Sequence, residues 1–271
     1  MTLSTESGWL DLALDSLKCQ GYAIVGDVLS PQMLERTRRA MYGTRERVVA
    51  EAGEDRLVRA GEKGVLRIPF RFDPIYFEFL TLRPVLDIVD ATVGSTAILH
   101  LMNGFILPPI ARADPSTTFQ ESFHRDFPRY LNGYVASINA FFAIVDFKEN
   151  NGATLVVPGT HQRQEAPSNA YMKANAVPIL AKAGSMLLFD STLWHAAGQN
   201  RSGADRLAIN MQFTRSYIKQ QIDYSRALDA STIEALPARS QQLLGWYTRV
   251  VTSLDEYYRP EEERLYRRGQ G

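Results

Sequence analysis

Short apolar and alternating runs separated by turn residues predict a β-sandwich or jelly roll for the middle of this 271-residue chain, with helices at both ends. Three observations carry that expectation. Between Thr96 and Ser216 the strand-like runs are "TAILHLMNGFIL", "YVASINAFFAIVDF", "ATLVV", "GSMLLFD" and "RLAINMQFTRS". Before Thr96 the texture is largely helical, and towards the C-terminus apolar residues recur at helical spacing. The length suits one domain, read as support over residues 1–95, a core over 96–216 and a helical extension over 217–271. The expected class is mainly β with flanking helices.

The elements follow in order. "GYAIVGDVL" reads as a strand, and Ser30-Pro31 reads as an N-cap followed by proline at the first helical position, opening a helix to about Ala50. Leu34, Met41 and Val48, seven apart, mark its expected buried stripe. Its arginines, among them Arg36, Arg38, Arg39, Arg45 and Arg47, are interspersed with Glu35 and Glu46, the pattern of a solvated face rather than a phosphate site. "DPIYFEFL" and "RPVLDIVDATVG" read as two more helical pieces, the second begun near Pro84 and stopped by Gly94. After the strands, "ARSQQLLGWYTRVVTSLDEYY" spaces Leu243, Tyr247, Val250, Leu254 and Tyr258 as a helix would.

Composition narrows the function classes. Thirty basic and thirty acidic side chains cancel, so no global field recruits nucleic acid or an anionic membrane, and a small-molecule substrate is the better expectation. The single cysteine, Cys19, excludes an intramolecular disulfide framework and a multi-cysteine zinc site. No run reaches membrane-spanning length and the N-terminus lacks a basic segment, which together suggest a cytoplasmic protein acting as monomer or homodimer.

Chemistry concentrates in "TFQESFHRDFPRYLNG". In an extended segment residues at i and i+2 share a face, so His124 and Asp126 can meet one metal ion. A third ligand must come from a distant strand, and His195, in "GSMLLFDSTLWHAAGQNRSGADRLAIN", is the candidate. Two histidines and one carboxylate make the facial triad of non-haem Fe(II) oxygenases, which leaves coordination positions open for chemistry. Eleven residues on, Arg206 opens the strand "RLAINMQF", and a guanidinium in a mostly apolar cavity calls for an anion, a carboxylate by the match of its fork.

These residues together resemble the phytanoyl-CoA dioxygenase-like (PhyH) branch of the Fe(II)/2-oxoglutarate-dependent oxygenases. The resemblance rests on "HRD" at 124–126, "NNGATLVVPGTH" at 150–161, "GSMLLFDSTLWHAAGQN" at 184–200 and Arg206, and it is strongest from about residue 96 to 216. It implies a double-stranded β-helix, the cupin-like jelly roll, with Fe(II) on His124, Asp126 and His195. It further implies 2-oxoglutarate on the iron with its distal carboxylate on Arg206, O2 as oxidant, and hydroxylation, desaturation or cyclisation with release of succinate and CO2. Thr154 matches a cosubstrate-contacting position of some relatives; where many carry glutamine three residues before the first metal histidine this chain has Glu121, with Gln120 one earlier as a cosubstrate-binding candidate.

Other residues have plainer expectations. His100 reads as a sheet histidine without a role, and His161, after the Pro158-Gly159 turn, as a loop-fixing hydrogen-bonder. Asn150, Asn151 and Gly152 are turn formers, and Arg125 points away from the ligands if the segment stays extended. Phe127, Tyr130 and Trp194 either line a substrate cavity or pack. The plain alternative for Arg206 is an ion pair with Asp190 or Asp205. Two rival functions stand beside the oxygenase acting on a small metabolite: a metal-binding jelly roll without catalysis, and an oxygenase acting on a nucleic acid, a protein or a carrier-bound group. The charge balance argues against nucleic acid and leaves protein open.

Overall fold

Backbone pairing in the computed structural model, which describes residues 2–110 and 122–270, gathers the strands into two sheets. The strands are β1 (Thr2–Leu3), β2 (Tyr22–Val25), β3 (Val65–Arg67), β4 (Ile98–Leu107), β5 (Ser137–Ala143), β6 (Leu155–Val156), β7 (Val177–Pro178), β8 (Met186–Asp190), β9 (His195–Ala196) and β10 (Arg206–Thr214). The large sheet runs β1-β2-β8-β5-β10-β4-β3 and the small one β7-β6-β9. All of these pairings are antiparallel except β1 with β2. The helices are α1 (Trp9–Gln20), α2 (Pro31–Ala52), α3 (Glu54–Arg59), α4 (Ile75–Glu78), α5 (Arg83–Thr92), α6 (Asn169–Asn175), α7 (Tyr224–Ala227), α8 (Ala230–Glu234), α9 (Ala238–Leu243) and α10 (Leu254–Tyr257).

The pleat sorts the large sheet into two faces. Along β10, Leu207, Ile209, Met211 and Phe213 enter one core with Leu99 and Met102 of β4, Ile138, Ala140 and Phe142 of β5, and the buried residues of α1, α2 and α5. The alternate residues face the small sheet, where Phe141, Ala208, Leu187 and Phe189 pack with Val156 and Ile179 in a second core. Burial of side chains such as Phe142 and Phe213, fully enclosed, is worth about 1.5–3 kcal/mol each, so the helix-covered face supplies most of the apolar stabilisation.

More described residues lie in helices than in strands, so the fold is mixed rather than mainly β. The reason is local. The small sheet has two-residue strands because its backbone turns away to carry loops, and the stretch before β4 is mostly helical. Helix α2 begins as expected, with Ser30 Oγ accepting from the Met33 N–H at 3.2 Å, but its buried stripe is Met33, Thr37, Ala40, Met41 and Thr44 while Leu34 and Val48 are only half-buried. Thr44 serves in that stripe because its hydroxyl bonds the buried Tyr76 hydroxyl at 3.0 Å.

The expected long C-terminal helix is absent: α9 ends at Leu243 and Gly245, at φ +79°, turns the chain. That left-handed conformation strains any residue with a Cβ, so the turn is built on glycine. Leu243 and Tyr247 are buried, but Val250, Leu254 and Tyr258 are exposed. Helical spacing alone did not carry the helix past a glycine in the left-handed region.

Candidate active site

His124 and His195 meet across a single antiparallel bridge. The His124 N–H donates to the His195 carbonyl at 2.9 Å and the His195 N–H returns the bond at 3.0 Å. The HRD segment therefore touches the edge of β9 by one residue pair rather than forming the extended strand expected of it. That pair suffices to align the side chains. Asp126 Oδ1 lies 3.6 Å from His124 Nε2 and 3.7 Å from His195 Nε2, and the rings of the histidines are 4.3 Å apart. One ligand atom from each residue falls within 4.8 Å of the others, a spacing that one ion can bridge.

The donor chemistry also fits a metal. His124 Nδ1 lies 2.9 Å from the Ser122 carbonyl and His195 Nδ1 lies 2.9 Å from the Leu193 carbonyl, so each Nδ1 donates and each Nε2 presents a lone pair inward. His124 Nε2 is buried with no hydrogen-bond partner. Burial pushes the His195 pKa down; the Asp126 carboxylate opposes this and His124 adds to it. Asp126 accepts at Oδ2 from Asn139 Nδ2 at 2.8 Å, which leaves Oδ1 facing the histidines.

Behind that contact runs a buried polar chain. Asn139 Nδ2 also donates to Asn210 Oδ1 at 3.0 Å, the Ser191 hydroxyl donates to Asn139 Oδ1 at 2.5 Å, and Ser137 bonds Ser191 at 2.7 Å and accepts from Gln212 Nε2 at 3.0 Å. All of these residues come from the inward pleat of β5 and β10 or from the turn after β8. The "PGTH" loop braces the other ligand: Thr160 Oγ1 accepts the Trp194 N–H at 3.1 Å, and Val157 N–H donates to the Trp194 carbonyl at 2.9 Å. His161 behaves as a loop fixer, donating from Nε2 to the Lys18 carbonyl at 3.2 Å. Gly21, in the left-handed region at φ +85°, lets this loop approach, since a Cβ would lie 2.5 Å from His161 Nδ1.

Asp126 and His195 open into a cavity of about 200 Å³ that also receives Arg206, Thr154, Asn210 and Gln212. Arg206 is 4 % exposed, and its Nε and Nη1 have no hydrogen-bond partner. Its guanidinium lies 5.3 Å from the Phe147 ring centroid and 5.9 Å from that of Phe141. Burial pushes its pKa down to about 10, which leaves it charged at neutral pH. The structure shows no ion pair with Asp190 or Asp205: Asp190 accepts from Thr192, and Asp205 accepts from the Tyr42 hydroxyl at 3.1 Å. A buried cation with open donors is costly, and an anion entering the cavity relieves it.

Other expectations separate cleanly. Gln120 and Glu121 lie outside the described residues. Arg125 is structural, donating to the Arg163 and Gln164 carbonyls at 3.1 Å each and lying 5.0 Å over the Trp194 ring. Phe127 and Tyr130 line a different cavity, beside Leu14 and Leu17 of α1, not the one holding the ligands. Sequence reasoning missed Asn139 and Asn210, which were visible as polar residues on the inward parity of two apolar strands, "SINAFFA" and "RLAINMQFT".

Comparisons with known proteins agree with this geometry. The family model for phytanoyl-CoA dioxygenase (PhyH) matches residues 17–208. An uncharacterized protein of Mycobacterium tuberculosis is 58% identical over 262 residues, covering 97% of this chain and 96% of that one. The dioxygenase cdmD of Talaromyces verruculosus is 30% identical over 135 residues, 46% of this chain and 44% of its own. Among solved structures, the non-heme alpha ketoglutarate dependent epimerase SnoN from nogalamycin biosynthesis superimposes with a TM-score of 0.60 at 15% identity, covering 81% of this chain and 87% of that one.

Proposed function

The chain belongs to the phytanoyl-CoA dioxygenase (PhyH) family, and from that premise we propose that it is an Fe(II)- and 2-oxoglutarate-dependent dioxygenase that hydroxylates an unactivated C–H bond of a small metabolite. One observation carries the reading: His124, Asp126 and His195 bring their ligand atoms together, and Asp126 and His195 line the cavity that also holds a buried guanidinium, Arg206, whose Nε and Nη1 are unpartnered. Metal-ligating donors and an anion-seeking cation in one cavity are what a dicarboxylate cosubstrate needs. We read the two facing sheets as the double-stranded β-helix of such enzymes.

In outcome, substrate C–H, O2 and 2-oxoglutarate become C–OH, succinate and CO2, one oxygen atom entering the product and the other the succinate carboxylate. Iron held by His124, Asp126 and His195 supplies the redox centre for the reduction of O2. The rest is the work of this chain's residues. Arg206 takes the distal carboxylate of 2-oxoglutarate in its fork, and Thr154 offers a hydroxyl in the same cavity. Phe141 and Phe147 wall the guanidinium from water, which strengthens that charge pair. Asn139 holds Asp126 so that one carboxylate oxygen stays inward.

The test is anaerobic calorimetry of the metal-free protein with Fe(II), then of the loaded protein with 2-oxoglutarate, followed by 18O2 turnover on a metabolite pool. Metal uptake by the wild type that is lost in His195→Ala, 2-oxoglutarate binding that requires Arg206, and one 18O in the product are expected. Wild-type iron occupancy in His195→Ala overturns the reading, and an unlabelled product two hydrogens lighter replaces hydroxylation with desaturation or ring closure.

A further inference from the structure

Three neighbouring strands carry one polar row across the cavity. The register pairs Arg67 of β3 with Asn103 of β4, and Asn103 in turn with Asn210 of β10, so the three side chains project from one face of the sheet. That face is the inward one. Leu66, between Val65 and Arg67, enters the helix-covered core, while Arg67, Asn103 and Asn210 all line the cavity of Asp126 and His195.

Hydrogen bonds settle which end of each group is open. The Ser191 hydroxyl donates to Asn139 Oδ1 at 2.5 Å, so Asn139 Nδ2 is the atom that donates to Asp126 Oδ2 at 2.8 Å and to Asn210 Oδ1 at 3.0 Å. With Asn210 Oδ1 spent, its Nδ2 remains, without a partner among the described residues. The Asn103 amide makes no hydrogen bond to the described residues, and because its Oδ1 is fully buried, Nδ2 is the atom turned to the cavity. Arg67 gives Nε and Nη2 to Glu62 at 2.8 and 2.6 Å, which leaves Nη1. The row therefore shows the cavity N–H groups and no side-chain acceptor.

The cosubstrate does not account for this row. Adjacent strands lie about 4.8 Å apart, so it runs about 10 Å sideways from β10 to β3, the edge strand of the sheet. A diacid held by Arg206 of β10 at one end and by the metal at the other leaves Asn103 and Arg67 uncovered. The space beside them is what remains for a substrate.

Resting on the oxygenase reading, we infer that Arg67, Asn103 and Asn210 form a substrate-binding row that takes a carbonyl oxygen of an uncharged substrate, with Asn103 as its central donor. A carbonyl brings two lone pairs and no proton, which suits a row of donors. A hydroxyl would bring a proton that no side chain of the row accepts. A carboxylate would set a second anion beside Glu62, which already occupies Arg67 at two points. Seated there, the carbonyl fixes the substrate's orientation and thereby which C–H bond is presented to the metal.

The test uses protein loaded with Zn(II) and 2-oxoglutarate and four probes of one shape, acetophenone, α-methylbenzyl alcohol, ethylbenzene and benzoate, compared by saturation-transfer NMR titration. The wild type should bind the ketone more tightly than the other three, by about fivefold over ethylbenzene, the worth of one net hydrogen bond. The infrared band of its carbonyl should move to lower frequency on binding. Asn103→Leu, which keeps the bulk and removes the donor, and Arg67→Met, at the more exposed end of the row, should each lower the ketone-to-ethylbenzene ratio and shrink the infrared shift. Asn103→Gln, which restores an N–H, should recover part of both. No ketone preference in the wild type, binding of none of the probes, or a ratio unchanged in Asn103→Leu and Arg67→Met overturns the inference. An equal loss of 2-oxoglutarate affinity in Asn103→Leu does so too, because it gives the row to the cosubstrate. Failure of the wild type to take up metal or 2-oxoglutarate removes the oxygenase reading instead, and the same ratios in the metal-free protein then judge the row by itself.

Discussion

The two faces of β10 divide the labour of the molecule. Outward, Leu207, Ile209, Met211 and Phe213 fill the core beneath the helices; inward, Arg206, Asn210 and Gln212 carry charge and hydrogen bonds beside the metal ligands. Both sets are buried, yet one is apolar and complete while the other holds a cation with open donors. Stability and chemistry are thus separated by a single residue of pleat, and a substitution's parity on the strand decides which it damages.

The largest expected effect is on the inward side. His195→Ala or Asp126→Ala should abolish turnover and metal uptake, with the thermal midpoint of the metal-free protein nearly unchanged; a metal analysis on the purified variants decides it. Phe213→Ala, one step outward from Gln212, should do the reverse. Emptying that enclosed site costs about 3–5 kcal/mol, read by urea unfolding, while the 2-oxoglutarate affinity of the folded fraction holds. If Phe213→Ala weakens cosubstrate binding as strongly as stability, the separation of faces fails.

Arg206→Ala sharpens the contrast, because it should raise the half-saturating 2-oxoglutarate concentration by tens-fold or more, in line with about 2–5 kcal/mol for truncating one partner of a buried charged pair. Lysine should recover only part, since it restores charge without the fork. Without ligand, Arg206→Met should be as stable as the wild type or more so, because it removes a buried charge with no counter-ion among the described residues; a lower melting point there would reveal a further partner. The smallest effect is where β4 shifts register against β10, between Gln212 and Phe213. Tyr224→Phe leaves the Met102 N–H without its acceptor, at a cost of about 1–3 kcal/mol, and should loosen β4 there without touching metal uptake, which unfolding and metal titration together resolve.

Much of this was legible in the residues. The long strands β4, β5, β8 and β10 show as apolar runs, Ser30-Pro31 fixes the start of α2, and the triad together with Arg206 shows in motif spacing. What was hidden depended on partners distant in sequence. The role of Asn139 needs Asp126, Ser191 and Asn210 brought together from separate strands and turns. The row of Arg67, Asn103 and Asn210 needed the registers of β3 with β4 and of β4 with β10, which the sequence of one strand does not encode. The C-terminal helix failed because periodicity counts spacing and ignores the left-handed turn that a glycine, here Gly245, allows.

The unpaired charge of Arg206 reaches beyond affinity. Because the guanidinium lies on the aromatic rings of Phe141 and Phe147 within the second core, a diacid that neutralises it completes part of the protein's interior. Folding and metabolite supply are then linked: at a hundred times its dissociation constant such a ligand adds about 2.7 kcal/mol to the native state. On the oxygenase reading, withdrawing 2-oxoglutarate removes that increment, so the thermal midpoint of the wild type should fall as the diacid is depleted while that of Arg206→Met stays put.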